Sequence, residues 1–104
     1  MSRNKGKTGE LEIVHLLRSY GFDSHRTAPL QAAKNHGAAD VNGLPGYHVE
    51  VKRAERWMVR KWMKQAEKDA YDAIPLLFIR ENKEDWLVVI DAKDFLDVVT
   101  GEKP

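Results

Sequence analysis

The sequence predicts an α/β protein with a central mixed β-sheet flanked by helices. Hydrophobic residues follow helical spacing in residues 8–20, alternate in Tyr47–Arg53 and return to helical spacing in residues 56–73. Two apolar runs, Leu76–Ile79 and Trp86–Ile90, predict two further strands. With two more short strands and a final helix, the predicted order is α-β-β-β-α-β-β-α, in which helices cover the faces of one sheet.

Length and composition indicate one globular domain spanning residues 1–104. Hydrophobic residues make up 42% of the 104 residues, which suits a modest core. Because the chain has no cysteine, disulfides and Cys-ligated zinc are excluded. No apolar run approaches the roughly 18 residues of a membrane span, and the basic N-terminus has no signal-peptide core. We therefore expect a cytoplasmic protein.

The first helix is predicted from Thr8, as its N-cap, to Tyr20, just before Gly21. Its predicted buried stripe consists of five apolar residues: Leu11, Ile13, Val14, Leu16 and Leu17. Residues 1–7 are expected to form a mobile basic arm. Residues 100–104 are expected to fray.

The middle of the chain predicts a hairpin. Residues 22–27 form a short strand that ends in Arg26, and residues 28–39 form a long loop rich in Pro, Gly and Ala. Asp40 opens the next strand, and a turn over residues 43–46 returns the chain into the strand that carries Glu50.

The charge distribution indicates a polyanion-binding surface. Residues 52–64 contain six bases against one acid, whereas residues 81–102 contain seven acids against two lysines. Within the helix predicted over residues 56–73, bases recur every four residues, at Arg56, Arg60, Lys64 and Lys68. Such a ridge suits phosphate contacts, and a solvated helix face is the alternative. The last helix is predicted to begin after the capping Asp91, with three residues facing inward: Phe95, Leu96 and Val99.

The strand Tyr47–Arg53 carries an acid and a base on one face. Its period of two places His48, Glu50 and Lys52 together, opposite the apolar face. Asp40 lies across the predicted hairpin, so that its carboxylate and that of Glu50 can converge as hard oxygen ligands for Mg²⁺ or Mn²⁺. Lys52 could orient or deprotonate a water, or neutralise charge on a phosphate. The alternative is a surface Glu–Lys pair.

The motif Asp40…Glu50-Val51-Lys52 resembles that of the PD-(D/E)XK nucleases, with Ala39 where a proline often stands. The N-terminal half is similar to the archaeal and phage Holliday junction resolvases. Basic residues and a glycine precede Glu10-Leu11-Glu12, and Gly21-Phe22 leads into a strand that ends in arginine.

The resemblance implies a restriction-endonuclease-like core and a homodimeric, Mg²⁺-dependent endonuclease, with Mn²⁺ able to substitute. It would resolve four-way DNA junctions by paired symmetric nicks, in DNA recombination and repair, and a phage or prophage origin would fit. Two alternatives stay open: a small PD-(D/E)XK nuclease acting on linear, flapped or foreign duplex DNA, and a non-catalytic DNA-binding protein.

The resemblance also implies roles for particular residues. Glu10, Asp40, Glu50 and Lys52 would be catalytic, and the metal would be held by Asp40, Glu50 and the Val51 carbonyl, with Glu10 binding directly or through water. Glu12 cannot share this role with Glu10, because it lies about 200° away around the helix. The expected DNA contacts are Arg3, Lys5, Lys7, Arg26, Lys34, Arg53, Arg56, Arg60 and Lys64.

Three of the implied roles have explicit alternatives. Arg26 could instead be a salt-bridge partner at the strand end. Gln65 could be an accessory residue near the site or pack at the edge of the core. His48 could touch a phosphate or be a bystander. Trp57 and Trp62 are assigned to the core or to a dimer interface rather than to base stacking.

Overall fold

The protein is described here by a computed structural model, which describes residues 3–27 and 38–103, with side chains from residue 6 onward. Within these ranges, three helices and five strands follow in the predicted order. They are α1 (Arg3–Ser19), β1 (His25–Arg26), β2 (Val41–Asn42), β3 (Tyr47–Arg53), α2 (Val59–Asp69), β4 (Ile74–Arg80), β5 (Leu87–Val89) and α3 (Ala92–Val99). Within these residues, no helix is long and apolar enough to cross a membrane.

The strands form one sheet in the order β1-β2-β3-β4-β5. Among the described strands, β3 and β4 pair in parallel, and the other pairs are antiparallel. The parallel pair extends over the whole of β3, from Tyr47 opposite Ile74 to Arg53 opposite Arg80. A parallel connection requires a crossover, which α2 provides. The sheet is therefore mixed, as predicted, and β3 lies at its centre.

The two faces of the sheet are covered by different helices. Against one face, α1 buries Ile13, Val14 and Leu17 in a core cluster that includes Val49 and Val51 of β3. On the opposite face, a smaller cluster contains Met63 of α2 with Leu77 and Ile79 of β4. Because side chains alternate along a strand, the face of β3 that carries Glu50 turns towards α2.

The first helix is longer than predicted. It begins at Arg3 rather than at Thr8, so residues 3–7 are helical in the structure. Inside the helix, Gly9 is buried, and a Cβ there would lie 3.3 Å from Cβ of Arg53 in β3. This close approach anchors the first turns of α1 to the sheet.

Two predicted helix boundaries and several predicted core residues differ from the structure. The second helix is shorter than residues 56–73 and ends at Asp69, because Tyr71 adopts a left-handed backbone conformation with φ 54°. Leu11 and Leu16 lie at the edge of the α1 stripe and are more than a third exposed, at 38% and 37%.

The last helix was predicted correctly in position but not in its buried face. Asp91 caps α3 by accepting hydrogen bonds from the backbone N–H groups of residues 93 and 94. Phe95, Leu96 and Val99 are 50%, 57% and 63% exposed, because no further layer of the described structure covers them. Beyond the end of α3, Lys103 forms ion pairs with two aspartates of that helix.

Candidate active site

Asp40 is fixed beside the centre of β3 by backbone pairing and by its own side chain. Val41 pairs with Val49, and the Asp40 N–H donates to the Val49 carbonyl at 2.9 Å. The Asp40 Oδ2 atom in turn accepts a hydrogen bond from the Val51 N–H at 2.9 Å. The hairpin therefore brings Asp40 next to Glu50 and Val51, as the spacing predicted.

Carboxylates crowd around Asp40. Burial raises the pKa of Asp40 to about 8, and the negative charges of Glu50 and Glu10 add to this rise. The hydrogen bond from the Val51 N–H opposes the rise but is smaller than the effect of burial. Three acids from α1, β3 and the start of β2 thus share one partly buried region, where they repel one another unless a proton or a cation is present.

Glu10 and Glu12 lie on different sides of α1 and contact different groups. The Glu10 Oε1 atom accepts a hydrogen bond from Arg26 Nε at 2.9 Å, and Glu10 acts electrostatically on Asp40. Glu12 instead forms an ion pair with Arg80 and accepts a 3.0 Å hydrogen bond from the indole of Trp86. Only Glu10 therefore contributes to the acid cluster, as the helical geometry predicted.

Lys52 lies on the α2 side of β3. Its ammonium is 5.8 Å from the ring centroid of Trp62, close enough for a cation–π interaction. Both residues line a cavity of about 270 Å³ together with Glu50, Lys61 and Gln65. The sequence assigned Trp62 to the core or a dimer interface. Its contact with Lys52 was missed, because it depends on how α2 crosses the sheet.

His48 and Gln65 lie near Glu50 but contact protein groups. The buried imidazole places Nε2 2.7 Å from Glu50 Oε1. Gln65 donates to Asp69 Oδ2 at 2.9 Å, and potential ligand atoms of His48, Glu50 and Asp69 all lie within 4.8 Å of one another. Asp69 was not predicted, since no motif or periodicity links the end of α2 to β3.

The predicted DNA-contacting residues are distributed over different environments. Arg60 and Lys64 are exposed on α2, where they line an open depression with Lys61, Gln65 and Lys68. Arg56 and Lys7 are also exposed.

Two other predicted contacts are engaged within the chain. Arg26 pairs with Glu10, which is the salt-bridge alternative, and Arg53 Nη1 lies 3.5 Å from Glu12 Oε2. Lys34 and the side chains of Arg3 and Lys5 lie outside the described residues.

Comparison with known proteins identifies the family. Residues 1–103 match the family model described as "Phage putative PDDEXK endonuclease". The chain belongs to this family. The predicted PD-(D/E)XK nuclease family is confirmed.

A solved structure shares the fold. The chain resembles Hjc, a Holliday junction resolvase from the archaeal hyperthermophile Archaeoglobus fulgidus, with a TM-score of 0.62 and 18% sequence identity. The match covers 83% of this chain and 72% of that one, which confirms the predicted restriction-endonuclease-like fold. No curated protein matches the chain in sequence.

The donor set fits the divalent cation that such nucleases use. Asp40 and Glu50 supply carboxylate oxygens in one place, and Glu10 acts on the same region. The pKa of Asp40 is raised first by burial and then by the charges of Glu50 and Glu10, and a bound cation would offset both effects. An all-oxygen set of this kind suits Mg²⁺ and Mn²⁺.

Proposed function

We propose that this phage PD-(D/E)XK endonuclease resolves four-way DNA junctions by metal-dependent phosphodiester hydrolysis, with paired symmetric nicks, in the host cytoplasm. The observation that carries the proposal is the convergence of Asp40 and Glu50, with Glu10, beside Lys52 on a fold that resembles Hjc. The sequence resemblance to Holliday junction resolvases supports the choice of a branched substrate.

In this proposal each residue of the cluster has a distinct role. Asp40, Glu50 and the Val51 carbonyl hold Mg²⁺, for which Mn²⁺ can substitute, and Glu10 completes the site directly or through a water. The bound cation would polarise the phosphodiester and lower the pKa of a water. Lys52 places an ammonium on the Glu50 side of the strand, where it orients the attacking water and offsets negative charge that develops on the phosphate.

DNA would reach this site along the basic side of α2. Arg60 and Lys64 line the exposed depression there. Lys61 lines both this depression and the cavity that contains Glu50 and Lys52, so the two lie side by side. Lysine and arginine contacts of this kind bind the phosphate backbone without reading base sequence, which suits recognition of DNA shape. Arg56, Lys7 and the predicted contacts outside the described residues would extend the same surface.

We infer a homodimer, because two symmetric nicks require two equivalent sites. The exposed apolar surface supports a protein partner. It comprises Phe95, Leu96 and Val99 of α3. Its neighbours Asp91, Asp94 and Asp97 are acidic, so this surface would repel DNA. Exposed apolar surface with a polar border is typical of protein interfaces.

The test is cleavage of a four-way junction and of a linear duplex of the same sequence, in Mg²⁺ and in EDTA. Glu50→Gln and Lys52→Ala should each lower the rate at least ~100-fold, whereas Glu67→Gln, an exposed acid on α2, should cut at the wild-type rate. Cleavage that persists in Glu50→Gln would refute the metal site. Equal rates on junction and duplex would favour the duplex nuclease, and binding without cleavage would favour the DNA-binding protein.

The dimer is tested separately by sedimentation. Phe95→Asp should shift the wild-type dimer to a monomer and reduce paired nicking to single nicks, whereas Tyr71→Asp, on an exposed aromatic residue outside that surface, should leave the dimer intact. A wild-type protein that sediments as a monomer at micromolar concentration, with or without junction DNA, would refute the homodimer.

A further inference from the structure

We propose that His48, Glu50 and Asp69 form a second cation site, on the α2 side of β3, which takes a divalent metal that accepts imidazole, such as Zn²⁺ or Co²⁺. The site adjoins the Asp40 cluster and shares Glu50 with it, because the Glu50 side chain is hydrogen-bonded to Asp40 as well as to His48. It uses a nitrogen ligand, whereas the Asp40 cluster offers oxygen alone, so the two positions differ in the metals they prefer.

The three side chains already have the spacing of a metal site. One potential ligand atom from each lies within 4.8 Å of the other two. Zinc–ligand bonds of about 2.0–2.2 Å in a tetrahedral site place neighbouring ligands about 3.3–3.6 Å apart. Rotamer adjustments of up to about an ångström would reach this spacing: the His48–Glu50 pair, now 2.7 Å apart, would open and Asp69 would move in. Two ligands come from one strand at positions i and i+2, and the third comes from the last residue of the helix above it.

The position of Asp69 is unfavourable without a cation. It is the last residue of α2, where the helix dipole disfavours a negative side chain. It also lies near a second carboxylate, that of Glu50. Gln65 holds Asp69 by a 2.9 Å hydrogen bond, in the way that outer hydrogen bonds orient the carboxylates of metal sites. A bound cation would offset both electrostatic costs.

The imidazole is preorganised, and one of the three ligands borders a cavity. His48 is only 6% exposed, so its ring has little freedom to lose on binding. Glu50 also borders the cavity of about 270 Å³, whose other lining residues are Lys52, Lys61, Trp62 and Gln65. A metal with three protein ligands keeps an open position for water, and this cavity can supply it.

The alternative is a structural ion triad, in which a protonated His48 pairs with the two carboxylates. The two arrangements differ in what binds the protein. A triad requires no metal and gives no metal-dependent spectrum, whereas the proposed site should hold Co²⁺ with the intense visible absorption of a tetrahedral centre.

The experiment is a Co²⁺ titration followed by visible absorption, with competition by Zn²⁺, in an Asp40→Asn background that disables the other cluster. That background should still bind one tetrahedral Co²⁺. Adding Asp69→Asn or His48→Gln should weaken the Kd for Co²⁺ at least ~10-fold, whereas Asp72→Asn, an exposed acid just beyond α2, should leave it unchanged. Circular dichroism confirms that each variant is folded. Unchanged Co²⁺ affinity in Asp69→Asn, or absence of Co²⁺ binding in the Asp40→Asn background, would overturn the proposal.

A consequence for activity rests on the proposed function. Because Glu50 cannot serve two cations equally, Zn²⁺ bound at the second site should inhibit Mg²⁺-dependent cleavage. Asp69→Asn should raise the inhibitory Zn²⁺ concentration at least ~10-fold. If the protein cut no DNA, the Co²⁺ titration would still decide whether the second site exists, so the two proposals fail independently.

Discussion

Replacing Asp40 with asparagine should stabilise the metal-free protein while abolishing cleavage. Asparagine keeps an oxygen that can accept the hydrogen bond from the Val51 N–H, which Asp40 now accepts at 2.9 Å. It removes the charge that burial and the neighbouring acids disfavour. The substitution therefore eliminates an electrostatic cost and retains the local geometry.

The size of the effect follows from the pKa of Asp40, which rises from 3.8 to about 8 on folding. Because the folded state binds the proton more tightly, the free energy of unfolding of the wild type falls as the pH rises from about 4 to about 8. At about 1.36 kcal/mol per pKa unit, the loss reaches roughly 4 kcal/mol at pH 7. The asparagine side chain does not titrate, so the Asp40→Asn variant should gain that amount, or roughly 15 °C in Tm.

The assay is urea unfolding in EDTA at several pH values between 4 and 8. The two proteins should have similar stability near pH 4 and diverge steadily as the pH rises. Saturating Mg²⁺ should stabilise the wild type much more than the variant, because it binds the folded state of the wild type. An exposed acid, Asp85→Asn, serves as the control and should change stability by a few tenths of a kcal/mol. Parallel profiles for wild type and Asp40→Asn would refute the reasoning.

Three further substitutions test the scaffold, each by urea denaturation. Gly43→Ala should cost about 2–4 kcal/mol, because its φ is +105° and a Cβ would lie 2.3 Å from the Asp23 carbonyl oxygen. Gly21→Ala should lower the free energy of unfolding by only about 1 kcal/mol, because φ is +93° there but no atom lies within 4 Å of the added Cβ. Equal losses at the two positions would show that the contact with Asp23 does not contribute. Glu12→Gln should cost about 2–3 kcal/mol by leaving two part-buried arginines of β3 and β4 without their carboxylate, and a neutral result would contradict that network. Asp91→Ala should lower the free energy of unfolding by about 1 kcal/mol, because both capping hydrogen bonds are lost. An unchanged urea midpoint would show that these hydrogen bonds do not stabilise the protein.

Local patterns predicted the features of the site that lie within one hairpin. The alternation of β3 placed Glu50 and Lys52 on one face, and the turn length placed Asp40 opposite them, as the structure shows. Helical geometry likewise separated Glu10 from Glu12, which contact different arginines. These relations follow from the short chain connection within one hairpin and from the regular directions of side chains along a helix or a strand. Both can be read from the sequence.

Contacts between distant elements were not predictable in the same way. The approach of Asp69 to His48 and of Trp62 to Lys52 depends on where α2 crosses the sheet. The exposure of Phe95 was missed for a related reason. An amphipathic pattern shows which face of a helix is apolar, but not whether this chain or a partner covers it.

The central position of β3 has a consequence for how the candidate site opens. The strand is hydrogen-bonded to β2 on one side and to β4 on the other, and its parallel partner begins only at Ile74, after the α2 crossover. Residues of β3 cannot separate from both neighbours without dismantling the sheet. The amide hydrogen of Glu50 should therefore exchange with solvent only through global unfolding, so its protection factor would report directly on how strongly any bound cation stabilises the whole protein.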